Sequence, residues 1–526
     1  MNMTLAADVA VLDELEQVVG AARLLTSKAD REYFAMDVYG AGETPIAVAL
    51  PETVAEVQSI VRVAARRKIA IVTRGGAASY TASHLPSTRN SLIIDTSRLN
   101  RILEINERDM YVTVEAGVTW NALREALSKK KLRTPFWGPF SGFASTVGGG
   151  ASQNAASLGS GAYGISADSI LGFEVVLANG EVLRTGSHAI ENGKPFYRWY
   201  GPDLTGLFCG DSGALGIKVT ITLRLIPEPE VFGAASFGFE TFEAMAAGLA
   251  AVARSNVASD NFGLDPKLQQ GQMGEVTVKD AIASAIRVAR ASRNPLEAAA
   301  RLASMAAAGK RFLSGWAYST HFTVEGVSKA EIRSKLAVVR RAVKGYGRET
   351  ANTIPTVIRA APFVPLNVMI GPRGERWAPQ HGVMPFSAVS EFHSRITRLY
   401  AANAERMKRE RVTNGAMFMT LGTHAFLYEP VFYWEDELTA YHRRYLSAEF
   451  IGQLPKYPEN LNGRRLVAEL REQIREIFSA VGSIHFQIGK CYPYMKGRQG
   501  EAAQALRAIK QQLDPNNLMN PGALGL

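Results

Sequence analysis

The sequence predicts an α+β fold, and three patterns along the chain lead to this prediction. In the first third, short apolar runs typical of strands alternate with amphipathic helix spacing. A long predicted strand at residues 217–226 then meets Pro227 and Pro229, a pair that indicates a domain boundary. Beyond the prolines the chain is rich in alanine and predicted helix, with isolated strand candidates.

The first third yields most of its elements directly. An apolar run at 46–50 ends at Pro51, and residues 53–67 repeat apolar side chains at helix spacing. Thr119 is a predicted N-cap for a helix that ends near a lysine cluster at 129–131. The other predicted strands are 69–73, 92–95, 111–115, 173–178 and 182–184, the last two joined by the hairpin turn Asn179-Gly180.

The remainder of the chain is predicted more coarsely. Helices are expected at 331–343, 389–408 and 501–512, and strands at 417–420 and 483–488. The arginine-rich stretch 279–311 is interrupted by Pro295, which favours two helices over one. Its basic face is either solvated or a docking site for anionic lipid or an acidic redox partner.

Composition excludes several classes of protein. The 526 residues are 47% hydrophobic and 21% charged, which argues against a disordered chain or a coiled coil. The length predicts about three domains. Cys209 and Cys491 are the only cysteines, so neither a disulfide framework nor a cysteine zinc site is expected. No export signal or apolar membrane span is visible, and a cytoplasmic location is expected.

Three glycine-rich segments are the clearest functional signal. Loop 1 is residues 74–80 (RGGAASY), loop 2 is residues 145–168, and loop 3 is residues 209–217. Without a Cβ, glycine lets successive backbone N–H groups converge on an anion such as a diphosphate. Tight turns and close strand packing are the alternative explanation for any one of these loops.

Neither of two common phosphate-binding motifs is supported. No G-x-x-x-x-G-K-[ST] occurs, which argues against a P-loop ATPase. No G-x-G-x-x-G opens a helix after the first strand, so a Rossmann dinucleotide site is not supported. The +10 charge permits nucleic acid as a partner, but no aromatic-basic module supports it.

In order and spacing, the three loops and the tail LDPNNLMNPG (513–522) resemble the vanillyl-alcohol oxidase/p-cresol methylhydroxylase family of FAD flavoproteins. That family includes glycolate oxidase subunits, D-lactate dehydrogenases and alkyl-dihydroxyacetone-phosphate synthase. The resemblance covers about residues 40–230 and the tail, whereas 240–480 is similar only in layout. It implies a two-subdomain FAD-binding domain at 1–229, completed by 496–526, and an α+β cap domain at 230–495.

The resemblance also implies which residues hold FAD. Loop 1 and the start of loop 2 would bind the pyrophosphate, the rest of loop 2 the ribityl chain and isoalloxazine, and loop 3 the adenine and ribose side. The tail would return to the cofactor. The implied residues are Arg74, Gly75, Gly76, Ala77, Ala78, Ser79, Tyr80, Ser145, Thr146, Val147, Gly148, Gly149, Ser152, Asn154, Gly159, Gly161, Gly164, Gly210, Asp211, Gly216, Ile217 and Asn520.

The sequence departs from the family pattern in two places. Many members with covalent flavin carry His after the Gly-Gly of loop 1, where this chain has Ala77, and the nearby His84 is predicted to be a loop residue. The D-lactate and D-2-hydroxyglutarate branch carries a histidine-rich metal motif, of which only His485-Phe486-Gln487-Ile488-Gly489-Lys490 remains. Because a metal needs three or four ligands, no metal is predicted.

Candidate catalytic residues come from the cap. If residues 424–428 form a strand, His424 and Tyr428 share a face, and His485 shares a face with Gln487 on the predicted strand 483–488. The candidates are His485, Tyr428, His381, His424 and Lys490. The first four are candidate bases, and Lys490 is a candidate partner for a substrate carboxylate or phenolate.

The resemblance implies an FAD-dependent oxidoreductase that transfers hydride from a small hydroxylated substrate to flavin N5. The substrate is either a phenolic or benzylic alcohol or a 2-hydroxy acid, and the electrons pass to oxygen, a protein or a quinone. A homo-oligomer is expected, with at most peripheral membrane contact. A non-redox transferase of the alkyl-dihydroxyacetone-phosphate synthase kind and a non-catalytic flavin-binding subunit remain alternatives.

Overall fold

A computed structural model describes residues 2–273, 315–364 and 366–526 of the chain. The predicted basic stretch 279–311 lies outside the described residues. Among the described helices, none combines the length and the apolar composition needed to cross a bilayer.

A four-stranded sheet with strand order β1-β2-β4-β3 begins the fold. Strands β2, β4 and β3 are parallel, and β1 is antiparallel to β2. The strands are β1 (Leu24–Leu25), β2 (Ala47–Ala49), β3 (Ala70–Arg74) and β4 (Ser91–Asp95). The helices in this part of the chain are α1 (Asn2–Val19), α2 (Lys28–Phe34) and α3 (Val54–Arg67).

Helix α3 shows why the predicted pattern forms this element. Its apolar positions Val57, Ile60 and Val61 are buried, as the helix spacing requires. The hydroxyl of Thr53 accepts from Glu56 N and caps the start of the helix, and Lys68 ends it in the left-handed conformation. The prediction for 53–67 is confirmed.

An antiparallel five-stranded sheet follows, with order β5-β6-β10-β8-β9. Its strands are β5 (Ile102–Asn106), β6 (Tyr111–Glu115), β8 (Ile170–Val176), β9 (Val182–Arg184) and β10 (Ile217–Arg224). A small pair joins β7 (Leu132–Arg133) to β11 (Ile226–Pro227). The helices are α4 (Trp120–Ser128), α5 (Val147–Gln153), α6 (Ser160–Tyr163) and α7 (Leu204–Phe208).

The second half of the chain is built on an eight-stranded sheet. Its order is β15-β12-β14-β13-β18-β19-β16, with β17 also pairing with β19. The strands are β12 (Val231–Phe239), β13 (Asp260–Leu264), β14 (Tyr318–Gly326), β15 (Arg348–Thr350), β16 (Arg376–Pro379), β17 (Gly382–Pro385), β18 (Val412–Leu421) and β19 (Ala425–Trp434).

Helices cover one face of this sheet and build the largest apolar core. Side chains such as Phe242, Phe392 and Phe478 from the helices pack on Phe418 and Tyr428 from the strands. The helices of this half are α8 (Phe242–Ser255), α9 (Pro266–Met273), α10 (Lys329–Val343), α11 (Thr353–Ala360), α12 (Val389–Ala402), α13 (Ala404–Arg409), α14 (Ala440–Tyr445), α15 (Ala448–Gly452) and α16 (Leu461–Ala480).

The end of the chain returns to the first sheet. After α17 (Gly500–Leu513), Leu518 O accepts from Ile71 N at 2.7 Å, and Asn520 N donates to Ile71 O at 2.7 Å. Met519 is buried in the core beneath β3. The tail is therefore part of the structure that the first 230 residues build.

Two predicted elements differ from the structure. The predicted strand 483–488 is a loop in which only Ile484 makes a bridge, to Val383. The predicted helix 389–408 is two helices that meet at Asn403, whose side chain donates to Leu399 O. Such a local side-chain bond competes with the helix ladder, and an isolated Asn marks the break.

Candidate functional site

A cavity of about 680 Å³ connects the glycine loops to the large sheet. One end is lined by residues of loops 1, 2 and 3, and the other by apolar side chains from β13, β18 and β19. This volume lies within the range of small-molecule and cofactor sites. The cavity brings together the two regions in which the sequence predicts chemistry.

Loop 1 offers backbone donors to this cavity. The residues from Gly75 to Tyr80 line it, and their N–H groups donate no hydrogen bond to any described part of the chain. Carbonyls of the same loop are held from α14, where the Tyr441 hydroxyl donates to Ala77 O at 2.9 Å and the Tyr445 hydroxyl donates to Gly76 O. Free donors on a fixed loop fit an anionic diphosphate.

The Arg74 side chain has a different role. It is buried, pairs with Asp95 at 2.7 Å and lies over the Phe34 ring at 4.5 Å. It borders a second, separate pocket and is absent from the lining of the main cavity. Arg74 therefore anchors the base of loop 1 to β4.

Gly76 packs closely against Ala144 and Ser145, where loop 2 begins. A Cβ at this position would lie 1.8 Å from Ala144 O, which no side chain tolerates. Ala77 follows with φ +51°, a conformation that costs a non-glycine residue energy. The two backbones are thus packed directly against each other at the cavity edge.

Some of the predicted residues of loop 2 line the cavity, and the others lie in the protein interior. Thr146 caps α5 by accepting from Gly149 N at 3.1 Å. The predicted residues that line the cavity are Ser145, Thr146, Gly148, Gly149 and Ser152. The other predicted residues lie outside the lining. Val147 is buried in the core, Asn154 ends α5, and Gly164 packs on Asp168. The backbone N–H groups of Gly159 and Gly161 donate to Asp260 and Ser259 at the start of β13.

In loop 3 the lining residues are neighbours of the predicted ones. Gly216 lines the cavity, whereas Gly210 packs on Asn154 and Ile217 is in the core. Asp211 is buried, accepts from Gly213 N at 3.0 Å and forms an ion pair with Lys218. Ser212, Gly213 and Lys218 also line the cavity, although they are not among the residues that the resemblance implies.

Asn520 connects loop 3 with the chain beyond loop 1. Its side-chain amide donates to Ser83 O at 2.7 Å and to Ser212 O at 2.6 Å. It is buried outside the main lining. Its position indicates a clamp that sets the spacing of these loops.

The opposite end of the cavity is apolar, and we call it the cap wall. Odd-numbered residues of β19 face the cavity, while the even-numbered Phe426, Tyr428 and Phe432 face the helices. The cap wall consists of Phe262, Leu264, Leu268, Ile354, Ile358, Trp377, Met417, Met419, Leu427, Val431, Tyr433 and Phe486.

One carboxyl group interrupts this apolar surface. Glu429 lies on β19 between Leu427 and Val431, directly across from Met417 on β18. It makes no hydrogen bond or ion pair with any described residue, and burial raises its pKa to about 7. The sequence signal was present, because Glu429 is the one charged residue in the strand AFLYEPVFYW.

None of the predicted catalytic residues belongs to the cavity lining. His424 is exposed in the turn between β18 and β19, so the prediction that it lies in a strand with Tyr428 is wrong. The Tyr428 hydroxyl is hydrogen-bonded to His393 Nδ1 at 3.0 Å inside the core. The strand begins one residue later than predicted, and Tyr428 faces the helices.

The other predicted residues form a layer behind the lining. His381 is buried, stacks on Phe486 at 4.1 Å, and burial lowers its pKa to about 3. His485 Nδ1 contacts His381 O at 2.8 Å and its ring stacks on Tyr492. Lys490 donates to Leu85 O at 2.6 Å, and burial lowers its pKa to about 8.

His84 does line the cavity. Its Nε2 contacts Met36 O at 3.1 Å, and burial lowers its pKa to about 3. Within the described ranges, no three His, Cys, Asp or Glu side chains gather as metal ligands.

Comparison with known families decides the cofactor. The FAD binding domain family matches residues 45–186, and the C-terminal domain family of FAD linked oxidases matches residues 487–524. The chain is an FAD flavoprotein. The prediction of FAD from the three loops and the tail is confirmed.

Curated relatives of the flavoprotein are similar over part of their length. Glycolate oxidase subunit GlcD of Bacillus subtilis is 34% identical over 222 residues, 42% of this chain and 45% of that protein. D-2-hydroxyglutarate dehydrogenase of Xanthomonas citri is 33% identical, over 41% of this chain and 44% of that protein. The matches thus span less than half the length of these relatives.

Solved structures share the fold of the whole flavoprotein. p-Cresol methylhydroxylase with substrate bound aligns over 99% of this chain and 97% of its own, with TM-score 0.74 and 18% identity. 4-Ethylphenol oxidase from Gulosibacter chungangensis aligns over the same shares with TM-score 0.73 and 18% identity. Alkyldihydroxyacetonephosphate synthase aligns over 97% of this chain and 85% of its own, with TM-score 0.68 and 15% identity. The predicted fold class is confirmed.

Proposed function

We propose that the flavoprotein is an FAD-dependent oxidoreductase that oxidises a small hydroxylated organic substrate. The observation that carries the proposal is the single cavity that joins the cofactor loops to the cap wall. A molecule bound against the cap wall shares one continuous cavity with a group bound by the loops. This is the arrangement that electron transfer from substrate to a bound flavin requires.

Loops 1, 2 and 3 would hold the FAD. Free N–H groups of loop 1 and the hydroxyls of Ser79, Ser145 and Thr146 suit the diphosphate, and Lys218 adds a cation nearby. When bound, FAD supplies the acceptor for a hydride from the substrate. We propose as its contacts Gly75, Gly76, Ala77, Ala78, Ser79, Tyr80, Ser145, Thr146, Gly148, Gly149, Ser152, Ser212, Gly213, Gly216 and Lys218.

The chain itself holds loop 1 in position and keeps water away from the substrate end of the cavity. Tyr441 and Tyr445 hold loop 1 from α14, so its donors are ordered before a ligand arrives. The aliphatic and aromatic cap wall excludes water from the substrate end, which strengthens electrostatic interactions there.

The relatives support this chemical class. By their names, the curated proteins act on glycolate and D-2-hydroxyglutarate, and the structural neighbours on p-cresol and 4-ethylphenol. Each of these names denotes an oxidoreductase. We infer that the electrons leave to oxygen, a protein or a quinone.

The proposal is tested by anaerobic reduction. The purified holoprotein is mixed with benzylic alcohols, alkylphenols and 2-hydroxy acids, and loss of the oxidised flavin absorbance is recorded. Bleaching by one of these classes is expected, and none by the same compounds methylated at every hydroxyl group. A flavin that stays oxidised with every hydroxylated compound would overturn the proposal.

A further inference from the structure

We propose that Glu429 is the catalytic residue that removes the hydroxyl proton, and that the substrate is an uncharged apolar alcohol of the benzylic kind. The inference rests on the proposed function and names the substrate class of that same cavity. Two independent observations carry it: the isolation of the Glu429 carboxyl and the distribution of charge around the cavity.

The first observation is that the Glu429 carboxyl forms no hydrogen bond or ion pair with any described residue. Other buried carboxyls of this chain have partners: Asp265 accepts from Leu268 N at 2.7 Å, and Asp260 accepts from Gly159 N at 2.7 Å. Glu429 has no described partner and sits in an apolar surface that lines the cavity. Burying such a group without a partner is costly, which points to a role toward a ligand.

The second observation is the charge of the lining. Among its described residues the one Lys or Arg is Lys218, which is already paired with Asp211 and lies at the loop 3 end. A substrate carboxylate at the cap wall would therefore meet no Lys or Arg among the described lining residues and would face Glu429. Trp377, Tyr433 and Phe486 instead offer aromatic surface to an uncharged ring.

The proposed step balances without a further reactant. The substrate O–H bond breaks and its proton passes to a Glu429 carboxylate oxygen. The C–H bond on the same carbon breaks, and its hydrogen leaves with both electrons to the oxidised flavin. A C=O bond forms, so that the alcohol becomes an aldehyde or ketone while the flavin gains two electrons.

The groups around Glu429 leave its titration simple. Tyr80 of loop 1 and Tyr433 of β19 lie near it, and both have pKa values raised above their usual range by burial. Asp265 and Glu375 are the charged groups near Tyr433. A base must be ionised to act, so flavin reduction is expected to speed up as pH rises through about 7.

The test compares the holoprotein with E429Q, E429D and D265N. Asp265 is the matched control, because it is a second buried carboxyl whose pKa burial raises, to about 6, yet it lies outside the cavity lining. Anaerobic reduction by 4-methoxybenzyl alcohol is followed across pH 5 to 9 in each protein. E429Q is expected to lose at least 100-fold in the reduction rate and the pH step, E429D to recover part of the rate, and D265N to keep both.

A second readout does not depend on turnover. Infrared titration of the wild-type holoprotein should show a buried carboxyl that ionises near pH 7 and is missing in E429Q. Thermal shift should show that 4-methoxybenzyl alcohol stabilises the protein and that mandelate, an aromatic 2-hydroxy acid, does not.

The outcomes separate the two proposals. A wild-type flavin that stays oxidised with every hydroxylated compound would contradict the proposed function. Rapid reduction of wild type and E429Q alike, with the same pH profile, would overturn Glu429 as the base while leaving the oxidoreductase intact. Faster reduction by mandelate than by 4-methoxybenzyl alcohol would overturn the uncharged substrate.

Discussion

Glu429 lowers the stability of the fold at neutral pH, and this cost follows from its surroundings. Its pKa rises from the usual 4.5 to about 7 because burial penalises the charged form. Between these two pH values the folded protein binds more protons than the unfolded chain. Stability therefore falls as pH rises from about 4.5 to about 7 and stays low above that range.

The substitution E429Q is expected to remove this cost. At pH 8 the melting temperature should rise, with a gain in unfolding free energy of up to about 3 kcal/mol, while at pH 4 the two proteins should be alike. Differential scanning calorimetry at both pH values measures the difference. E405Q, a change at an exposed carboxyl of α13, is the control and should have no effect at either pH. An equal melting temperature for wild type and E429Q at pH 8 would contradict the burial argument.

Helix α14 contributes to the cofactor site through two hydroxyl groups that reach the carbonyls of loop 1. Tyr441 is fully buried, so removal of its hydroxyl would leave Ala77 O without this donor. An unsatisfied buried group costs more than the bond itself contributes. The order of loop 1 thus depends on an element more than 360 residues away in the chain.

Y441F is expected to destabilise the holoprotein by about 1 to 2 kcal/mol and to weaken its hold on FAD. The measurement is the urea concentration at which flavin fluorescence and tryptophan emission change. Y400F is the matched control, since the Tyr400 hydroxyl is buried without a partner and its removal should be neutral or stabilising. If Y441F and Y400F unfold and release flavin at the same urea concentration, the proposed support of loop 1 is wrong.

Strand β19 shows what the sequence could and could not predict. The strand itself and its alternation were predictable, because period two is a local property. Both faces are apolar, however, with Phe426 and Phe432 on one side and Leu427 and Val431 on the other. Which face meets the helices depends on packing against elements far away in the sequence. The local pattern therefore could not indicate that Glu429, rather than Tyr428, faces the cavity.

The glycine loops were predictable for the opposite reason. Gly76 is required by a backbone contact at its own position, so the requirement is written into the residue type. The role of Gly161 was not predictable, because it fits against Ser259 just before β13, about 100 residues further along the chain. Gly159 has φ +88° and packs on Pro135 O, which the sequence pattern did not indicate either. A glycine in the sequence can indicate that another group packs closely against the backbone, but it does not indicate which group.

At the scale of the whole molecule, a buried ionic cluster connects the two halves. Arg133 of β7 donates to Glu325 of β14, and Arg359 of α11 pairs with the same carboxylate at 3.2 Å. Trp137 lies under both guanidinium groups, at 4.6 and 4.0 Å. Glu325 thus pairs directly with both buried cations, and Asp260 lies near them.

E325Q is expected to destabilise the protein by about 3 kcal/mol or more, because it removes the carboxylate that pairs directly with two buried guanidinium groups. Calorimetry of the holoprotein measures the loss. E349Q breaks the exposed pair with Arg340 and is the control, with an expected cost below about 1 kcal/mol. A cost for E325Q no larger than that for E349Q would show that the cluster does not hold the halves together.

The return of the tail has a consequence for biosynthesis. Asn520 donates a hydrogen bond to Ser83, which lies 437 residues earlier in the chain. Ile71 in β3 donates its N–H to Leu518. The glycine loops are synthesised well before Leu518 and Asn520, and folding proceeds from the N-terminus as the chain emerges. Stable flavin binding is therefore expected only after residues 518–520 have been synthesised and have reached Ile71 and Ser83.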